Sequence, residues 1–145
     1  MARIYCAPWL PGDETAFTPA PLRAEERAAV AWDWSRGPPG PTWTLLRQSG
    51  EVVGVAGLHD RGEGVFEAWS SLGEVRPMEW PRLLWLAARR LEGAWLHGAH
   101  TVLAACRAGE GGAQRCLEIL GFAPLETGED PRLPGVAIRY MQKAA

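Results

Sequence analysis

Few side chains in this sequence have the types and spacing that metal or phosphate chemistry needs. His97 and His100 lie three residues apart across Gly98, but no acid or thiol lies close to them in sequence. A turn at the end of a helix explains this pair better than a metal site. No glycine-rich loop of the P-loop or dinucleotide-binding type is present either. We therefore expect no bound metal, and we do not expect a nucleotide-binding enzyme of those two types.

The number and spacing of the cysteines indicate neither disulfide bonds nor a zinc site. Cys6, Cys106 and Cys116 are an odd number and have no C-x-x-C spacing, which argues against a disulfide framework and against a zinc knuckle. No apolar run is long enough to span a membrane, and the N-terminus does not read as a basic segment followed by an apolar run. We expect an unexported, cytoplasmic protein that does not contact a membrane.

The composition is that of one globular domain, which we expect to cover residues 1–145. Of the 145 residues, 47% are apolar and 22% are charged, and the formal net charge is -2. Without an excess of cations to neutralise phosphates, no nucleic acid is predicted as a partner. Eight tryptophans predict a Trp-lined core or groove, or aromatic anchors for a protein partner or a second copy of the chain. We take Trp9, Trp32 and Trp69 as exposed anchors of that kind.

The hydrophobic periodicity alternates between strand and helix along the chain. It predicts strands at residues 3–7, 42–47, 52–58, 65–72, 100–105 and 135–141, and helices at residues 22–34, 80–96 and 112–120. Pro81 suits a first helical position and Gly121 a left-handed helix end, whereas Gly54 and Gly57 indicate a bulge or a close backbone approach. This order predicts an α/β (α+β) fold with a mixed, mostly antiparallel sheet flanked by about three to four helices.

Two segments in this order resemble the GNAT superfamily, the Gcn5-related N-acetyltransferases. Residues 51–58, EVVGVAGL, are similar to the central strand of that family, and residues 113–122, AQRCLEILGF, are similar to its fourth helix, which ends in L-G-F. The resemblance covers nearly the whole chain after Pro41. A narrower resemblance is to the small GNAT-like proteins of tailed bacteriophages, some of which are labelled acetyltransferases and others virion components. The likeness does not choose between these two roles.

The resemblance implies acetyl-CoA as the cofactor, held by a loop of the form Q/R-x-x-G-x-G/A. The equivalent segment is RPMEWP at residues 76–81, in which Arg76 fits but Glu79 replaces glycine and Pro81 replaces a small residue. Glu79 is expected to bring a negative charge toward the phosphates, and Pro81 removes an N–H donor. Both are also ordinary first-turn residues of a helix. The cofactor-binding candidates in and around this loop are Leu72, Arg76, Trp80 and Arg82.

The same resemblance places a general base in the strand that leads to the loop, where this chain has Glu67. Where the family has its usual acid, a tyrosine of the last helix, the chain has Leu117. Tyr140, Cys116 and His59 are other titratable candidates for the acid, and we keep Tyr140. Alternatively, Glu67 is a solvent-facing carboxylate and Tyr140 an aromatic residue of the sheet.

Two functions therefore remain open at the level of the sequence. The first is a GNAT-fold protein with a degenerate acetyl-CoA site, encoded by a phage and acting as a weakly active or non-catalytic binding or virion structural module. The second is an active N-acetyltransferase that transfers acetyl from acetyl-CoA to an amine of a small molecule or protein. The substitutions at Glu79, Pro81 and Leu117 favour the first.

Overall fold

The computed structural model describes residues 3–18, 33–109, 111–130 and 133–143. These residues form one seven-stranded sheet and two α-helices. The strands are β1 (Ile4–Pro8), β2 (Thr42–Arg47), β3 (Val52–Gly62), β4 (Val65–Leu72), β5 (Thr101–Arg107), β6 (Ala123–Asp130) and β7 (Leu133–Lys143). The helices are α1 (Trp80–Leu96) and α2 (Gly111–Ile119), and short 3₁₀ turns lie at Asp13–Thr15, Trp34–Arg36 and Pro77–Glu79.

The sheet is mixed, with the order β1-β2-β3-β4-β5-β7-β6. Every neighbouring pair is antiparallel except β4 and β5, which are parallel and joined by the crossover through α1. The predicted fold class is therefore confirmed. The predicted helix at residues 22–34 lies almost wholly outside the described residues. Its last residue, Trp34, begins a 3₁₀ turn in which the Asp33 side chain accepts the Ser35 N–H.

The apolar side chains of α1 divide the core into two clusters on one face of the sheet. The N-terminal half of the helix packs Leu83 and Leu86 against β1, β2 and β3, and the C-terminal half packs Leu91 against β5 and β7. Phe122, just after α2, is 4% exposed and closes the second cluster. The predicted signals at the helix ends are confirmed, because Pro81 lies in the first turn of α1 and Gly121 has a φ of 95° after α2.

The glycines of β3 are needed for close backbone packing, as the sequence predicts. A Cβ on Gly57 would lie 2.6 Å from the carbonyl oxygen of Pro41 and 2.9 Å from the Trp69 ring. Near Gly54 the register between β2 and β3 shifts, which marks a bulge. These features hold β2, β3 and β4 in a tight meander beside the parallel pair.

One strand is missing from the sequence prediction. β6 follows α2 directly and pairs with β7 at the edge of the sheet. Its side chains from Ala123 to Glu129 are all exposed, so the strand has no buried face and no alternation to detect. β3 is also longer than predicted, since it continues past Leu58 to Gly62 before a turn at Glu63 and Gly64.

Candidate functional site

The parallel strands β4 and β5 separate soon after they meet. Only three residue pairs join them, the last being Glu67 with Leu103. Beyond this point β4 pairs only with β3, through Ala68 to Leu72, and β5 pairs only with β7. The sheet is thus split along its middle, and the edge of β4 from Ala68 to Leu72 borders the gap.

A cavity of about 840 Å³ occupies this gap, which we call the main cleft. The size is within the range of pockets that hold small ligands. Its α1 wall includes Trp80, Leu84 and Ala87, and its α2 wall includes Cys116 and Leu117. The helix walls of the cleft are therefore mostly apolar, with Arg90 of α1 as a charged member, and residues of β3, β4 and β5 form its floor.

Glu67 lies at the narrow end of the main cleft, at the last β4–β5 pair. Its carboxylate is 3.0 Å from a guanidinium nitrogen of Arg61, and its side chain is 14% exposed. His59 is its cross-strand neighbour on β3 and also lines the cleft. Glu67 is thus a half-buried, ion-paired carboxylate inside the cleft and not a freely solvated strand residue.

Glu79 does not point where the sequence analysis expects. The side chain is 0% exposed, and its two carboxylate oxygens accept hydrogen bonds of 3.0 and 3.1 Å from Arg47. The Arg76 backbone N–H donates to the same carboxylate at 2.9 Å. The sequence leads one to expect that the Glu79 carboxylate faces phosphates at the helix end and repels them. This expectation is wrong, because the carboxylate is turned inward and paired with Arg47.

The contact between Arg47 and Glu79 lowers the pKa of the carboxyl group and raises the pKa of the guanidinium group. Hydrogen bonds from Arg47 lower the pKa of Glu79 against the opposing effect of burial, and the Arg76 N–H lowers it further. The hydrogen bond to Glu79 in turn raises the pKa of Arg47 above its usual range. Arg47 also contacts the Glu51 carboxylate at 2.9 Å and the Glu74 carbonyl oxygen at 2.9 Å. Both charges are therefore held at neutral pH.

The 76–81 loop has few N–H groups left for a ligand. Pro77 and Pro81 have none. The N–H of Arg76 donates to the Glu79 carboxylate, and the N–H of Glu79 donates to the Arg76 carbonyl oxygen at 2.9 Å. Four of the six positions therefore offer no N–H to a ligand.

The four predicted cofactor-binding residues are not brought to one place. Leu72 and Trp80 line the main cleft. Arg76 lines a smaller polar cavity of about 430 Å³ beside Arg47. Arg82 donates from Nε to the Ile4 carbonyl oxygen at 3.1 Å and lies over the Trp85 ring. Two of the candidates thus face the cleft, whereas the two arginines have other partners or face another cavity.

Tyr140 lies on β7, opposite Ala104 of β5, and is 2% exposed in the core cluster. Burial raises the pKa of its phenol. It is not among the described residues that line the main cleft, whereas Glu67 is. Of the other titratable candidates, His59 and Cys116 do line it.

The opposite face of the sheet carries the tryptophans that the sequence analysis takes as exposed anchors. Trp9 and Trp69 are both partly buried and both contact Trp34, with ring centroids 5.4 and 5.8 Å apart. Trp9 also donates to Glu14 at 3.1 Å. Their description as exposed is therefore wrong, because both pack against Trp34. Trp32 lies outside the described residues.

Arg47 and Arg61 are the residues of the site that sequence reasoning misses. The Arg47–Glu79 contact joins residues 32 apart in the chain, and neither residue has a sequence pattern that points to the other. Arg61 follows the predicted end of its strand, so its position opposite Glu67 depends on the extension of β3.

Among the described residues, no group of three or more His, Cys, Asp or Glu side chains is placed to hold a metal ion. No helix in the described part of the chain is long and apolar enough to cross a membrane.

Comparison with solved structures identifies the fold. The chain is similar to a GCN5-related N-acetyltransferase from Kribbella flavida (TM-score 0.72, 18% identity, 97% of this chain and 98% of that one). It is also similar to the ribosomal-protein-S18-alanine N-acetyltransferase from Escherichia coli (TM-score 0.70, 16% identity, 97% and 93%). A third is a GNAT-family acetyltransferase from Bacillus anthracis (TM-score 0.73, 11% identity, 97% and 95%). The chain therefore has the GNAT fold.

No protein-family model matches the sequence, and no curated protein matches it either. The structural neighbours include acetyltransferases, for which the fold implies acetyl-CoA as the acetyl donor. The residues present fit this group only in part. The main cleft has the size and largely apolar walls for an acyl thioester, whereas four of the six positions of the 76–81 loop offer no N–H to a diphosphate.

Proposed function

We propose that this GNAT-fold protein has a degenerate acetyl-CoA site and acts as a weakly active or non-catalytic binding module. The observation that carries the proposal is the buried Glu79 carboxylate, which accepts the Arg76 N–H inside the loop. A helix N-terminus binds phosphate through free N–H groups. Here the Glu79 carboxylate takes the Arg76 N–H and closes the 3₁₀ turn that precedes α1, so this N–H is not offered to a phosphate.

The wall of the main cleft supports the same proposal. Leu117 lines the cleft and has no proton to give to a departing thiolate. Among the described residues that line the cleft there is no tyrosine. An acid would have to come from Cys116 or His59, which occupy other positions in the cleft.

Isothermal titration with acetyl-CoA and CoA tests the proposal. Each charge-assisted hydrogen bond to phosphate contributes about tenfold or more in affinity, so a loop that has lost several of them should bind CoA far more weakly than about micromolar. A dissociation constant for CoA in the micromolar range or below would contradict the degenerate site.

The position of Glu67 favours a second candidate, an active N-acetyltransferase. In that reaction the amine nitrogen bonds to the thioester carbonyl carbon, and the carbon–sulfur bond breaks. Glu67 would take the proton of the ammonium group directly or through a water, and the sulfur would leave as thiolate and take up a proton. Glu67 lines the cleft that such an amine would enter.

Glu67→Gln and Tyr140→Phe distinguish the roles in this alternative. With thiol release as the assay, Glu67→Gln should lower kcat about 100-fold or more if Glu67 is the base. Tyr140→Phe should lower kcat only if the buried phenol reaches the leaving sulfur. If no variant changes a measurable rate, neither residue is catalytic.

The remaining parts of the proposal concern where the protein acts. We propose a cytoplasmic protein, or a virion component if a phage encodes the chain, with a protein partner or a second copy of the chain. Mass spectrometry of purified particles tests the virion role, and absence of the protein from them would count against it. Light scattering of the purified protein tests self-association.

A further inference from the structure

The side of α1 that is turned away from the sheet carries a line of side chains, which we call the outer stripe. The line begins in the 3₁₀ turn before α1 and ends at the last residue of the helix, and its members are Met78, Arg82, Trp85, Arg89, Glu92 and Leu96. They follow one another at alternating spacings of four and three residues, the repeat by which two helices pack side by side. We propose that the outer stripe binds the same stripe of a second copy of the chain, with the two helices antiparallel.

The outer stripe is separate from the site of the proposed function, because none of its side chains lines the main cleft. Pairing through the stripe selects the second copy of the chain over another protein as the partner. It does not depend on whether the acetyl-CoA site is degenerate.

The apolar members of the outer stripe are exposed and lie in one line. Met78 is 75% exposed, Trp85 50% and Leu96 85%, and they are three of the seven exposed large hydrophobic side chains in the described part of the chain. Single apolar residues scattered over a surface are ordinary, whereas several that lie together mark a surface that a partner covers. A line along one helix fits a second helix laid against it.

Trp85, near the middle of the outer stripe, contacts two arginines. The Cζ atoms of Arg82 and Arg89 lie 4.4 and 5.6 Å from the centre of its ring. Arg82 is held further by the hydrogen bond of 3.1 Å that its Nε donates to the Ile4 carbonyl oxygen. Tryptophan and arginine are the residues that most often anchor an interface, and side chains that are ordered before binding lose less entropy when they bind.

The order of the side chains is self-complementary when the outer stripe is reversed. In an antiparallel pair, positions at equal distances from Ala87 face each other across a two-fold axis. Met78 then faces Leu96 of the second copy, Arg82 faces Glu92, and Trp85 faces Arg89. Apolar side chains thus meet each other, a cation meets an anion, and an aromatic ring meets a guanidinium group. A parallel pair would place like charges together, which favours the antiparallel arrangement.

The charges of the predicted Arg82–Glu92 contact are available to a second copy. Arg82 uses its Nε within the chain, and its two Nη atoms have no hydrogen-bond partner among the described residues. Glu92 lies 3.6 Å from Arg89, and both of these side chains are more than 60% exposed. An exposed pair of this kind is weak, so Glu92 can exchange it for Arg82 of the second copy.

Sedimentation equilibrium of the unaltered protein tests whether the pair forms. A stripe of this length measures about 27 Å, and one pair of such helices makes an interface at the small end of the known range. We therefore expect a dimer with a dissociation constant of about 1–100 μM, to be measured up to about 500 μM protein. Trp85→Ala should be monomeric throughout, because the two-fold axis removes the tryptophan anchor twice.

Reversal of the charges tests the antiparallel register. Arg82→Glu and Glu92→Arg should each weaken the dimer about tenfold or more, since like charges then face each other at two symmetric places. The double variant Arg82→Glu/Glu92→Arg should recover the dissociation constant to within about threefold, because opposite charges meet again. Glu92→Arg changes only an exposed contact, so it tests the register even if Arg82→Glu lowers the stability of the fold.

Arg115→Glu is the matched control. Arg115 is an exposed arginine of α2, away from the outer stripe, and the variant makes the same change of net charge as Arg82→Glu. Its dissociation constant should stay within about twofold of that of the unaltered protein. Circular dichroism and thermal unfolding show that each variant keeps the fold.

The outcomes separate this inference from the proposed function. A monomer up to about 500 μM would overturn the inference, and so would a dimer that Trp85→Ala leaves intact. Equal effects of Glu92→Arg and Arg115→Glu, or a double variant no stronger than the single ones, would overturn the antiparallel register. None of these results changes the affinity for CoA, whereas tight CoA binding would overturn the degenerate site and leave the dimer in place.

Discussion

Replacement of Glu79 by glutamine is the sharpest test of the structure. The variant keeps the shape of the side chain and removes the charge that pairs with Arg47 in a buried position. Loss of one partner of a buried ion pair costs about 3–5 kcal/mol, because the other charge is left without compensation. Arg47 keeps the Glu51 carboxylate and the Glu74 carbonyl oxygen, so we expect about 3 kcal/mol, toward the lower end.

Chemical and thermal unfolding measure this effect. A loss of about 3 kcal/mol corresponds to a fall in Tm of about 6–12 °C for a domain of this size. Glu51→Gln is the matched control, since it removes the exposed partner of the same arginine, and it should cost about 1 kcal/mol or less. If Glu79→Gln costs no more than Glu51→Gln, the buried cap does not hold the loop as we describe.

Three further predictions concern stability. Because the folded-state pKa of Glu79 lies below its ordinary value of 4.5, its charge stabilises the fold above that pH and the contribution is lost as the pH falls through the folded pKa. The difference in unfolding free energy between the wild type and Glu79→Gln should therefore shrink in urea titrations below pH 4.5, and a constant difference would refute the pairing. Gly57→Ala should destabilise the protein by about 2 kcal/mol or more, since the methyl group would lie 2.6 Å from a backbone carbonyl oxygen, whereas Gly93→Ala on open α1 surface should stabilise it by about 0.5–1 kcal/mol. Trp9→Phe should cost about 1 kcal/mol more of unfolding free energy than Trp69→Phe. The Trp9 variant loses a hydrogen bond to a carboxylate, whereas the Trp69 Nε1 is buried with no hydrogen-bond partner among the described residues. Equal unfolding midpoints in the two variants would contradict this.

Periodicity predicted most of the elements because each has a buried face. β2 and β3 contain short runs of buried residues, β5 alternates between buried and half-buried residues, and α1 repeats its apolar residues at spacings of three and four. β6 could not be found in this way, since its side chains are exposed and its pairing with β7 depends on backbone hydrogen bonds. Pro81 and Gly121 marked the helix ends because their residue types have local backbone preferences, proline for the first turn of a helix and glycine for a left-handed conformation after it.

The candidate site could be predicted only in outline. Glu67 was placed on the correct strand, but its distance from Arg61 depends on how far β3 extends. Tyr140 was a titratable residue on a predicted strand, and nothing local indicated that its side chain would be buried in the core. Contacts between residues far apart in the chain have no periodicity, so sequence patterns do not reveal them.

The sequence by itself determined the mixed fold, the helix that begins at the 76–81 loop and the substitution of Glu79 and Pro81 in that loop. Only the tertiary structure decided what Glu79 does. A carboxylate at a helix N-terminus can face a ligand or turn inward, and its own residue type does not choose between the two. Arg47 is brought beside it by the pairing of β2 in the sheet, and the inward contact follows because a buried charge must be paired.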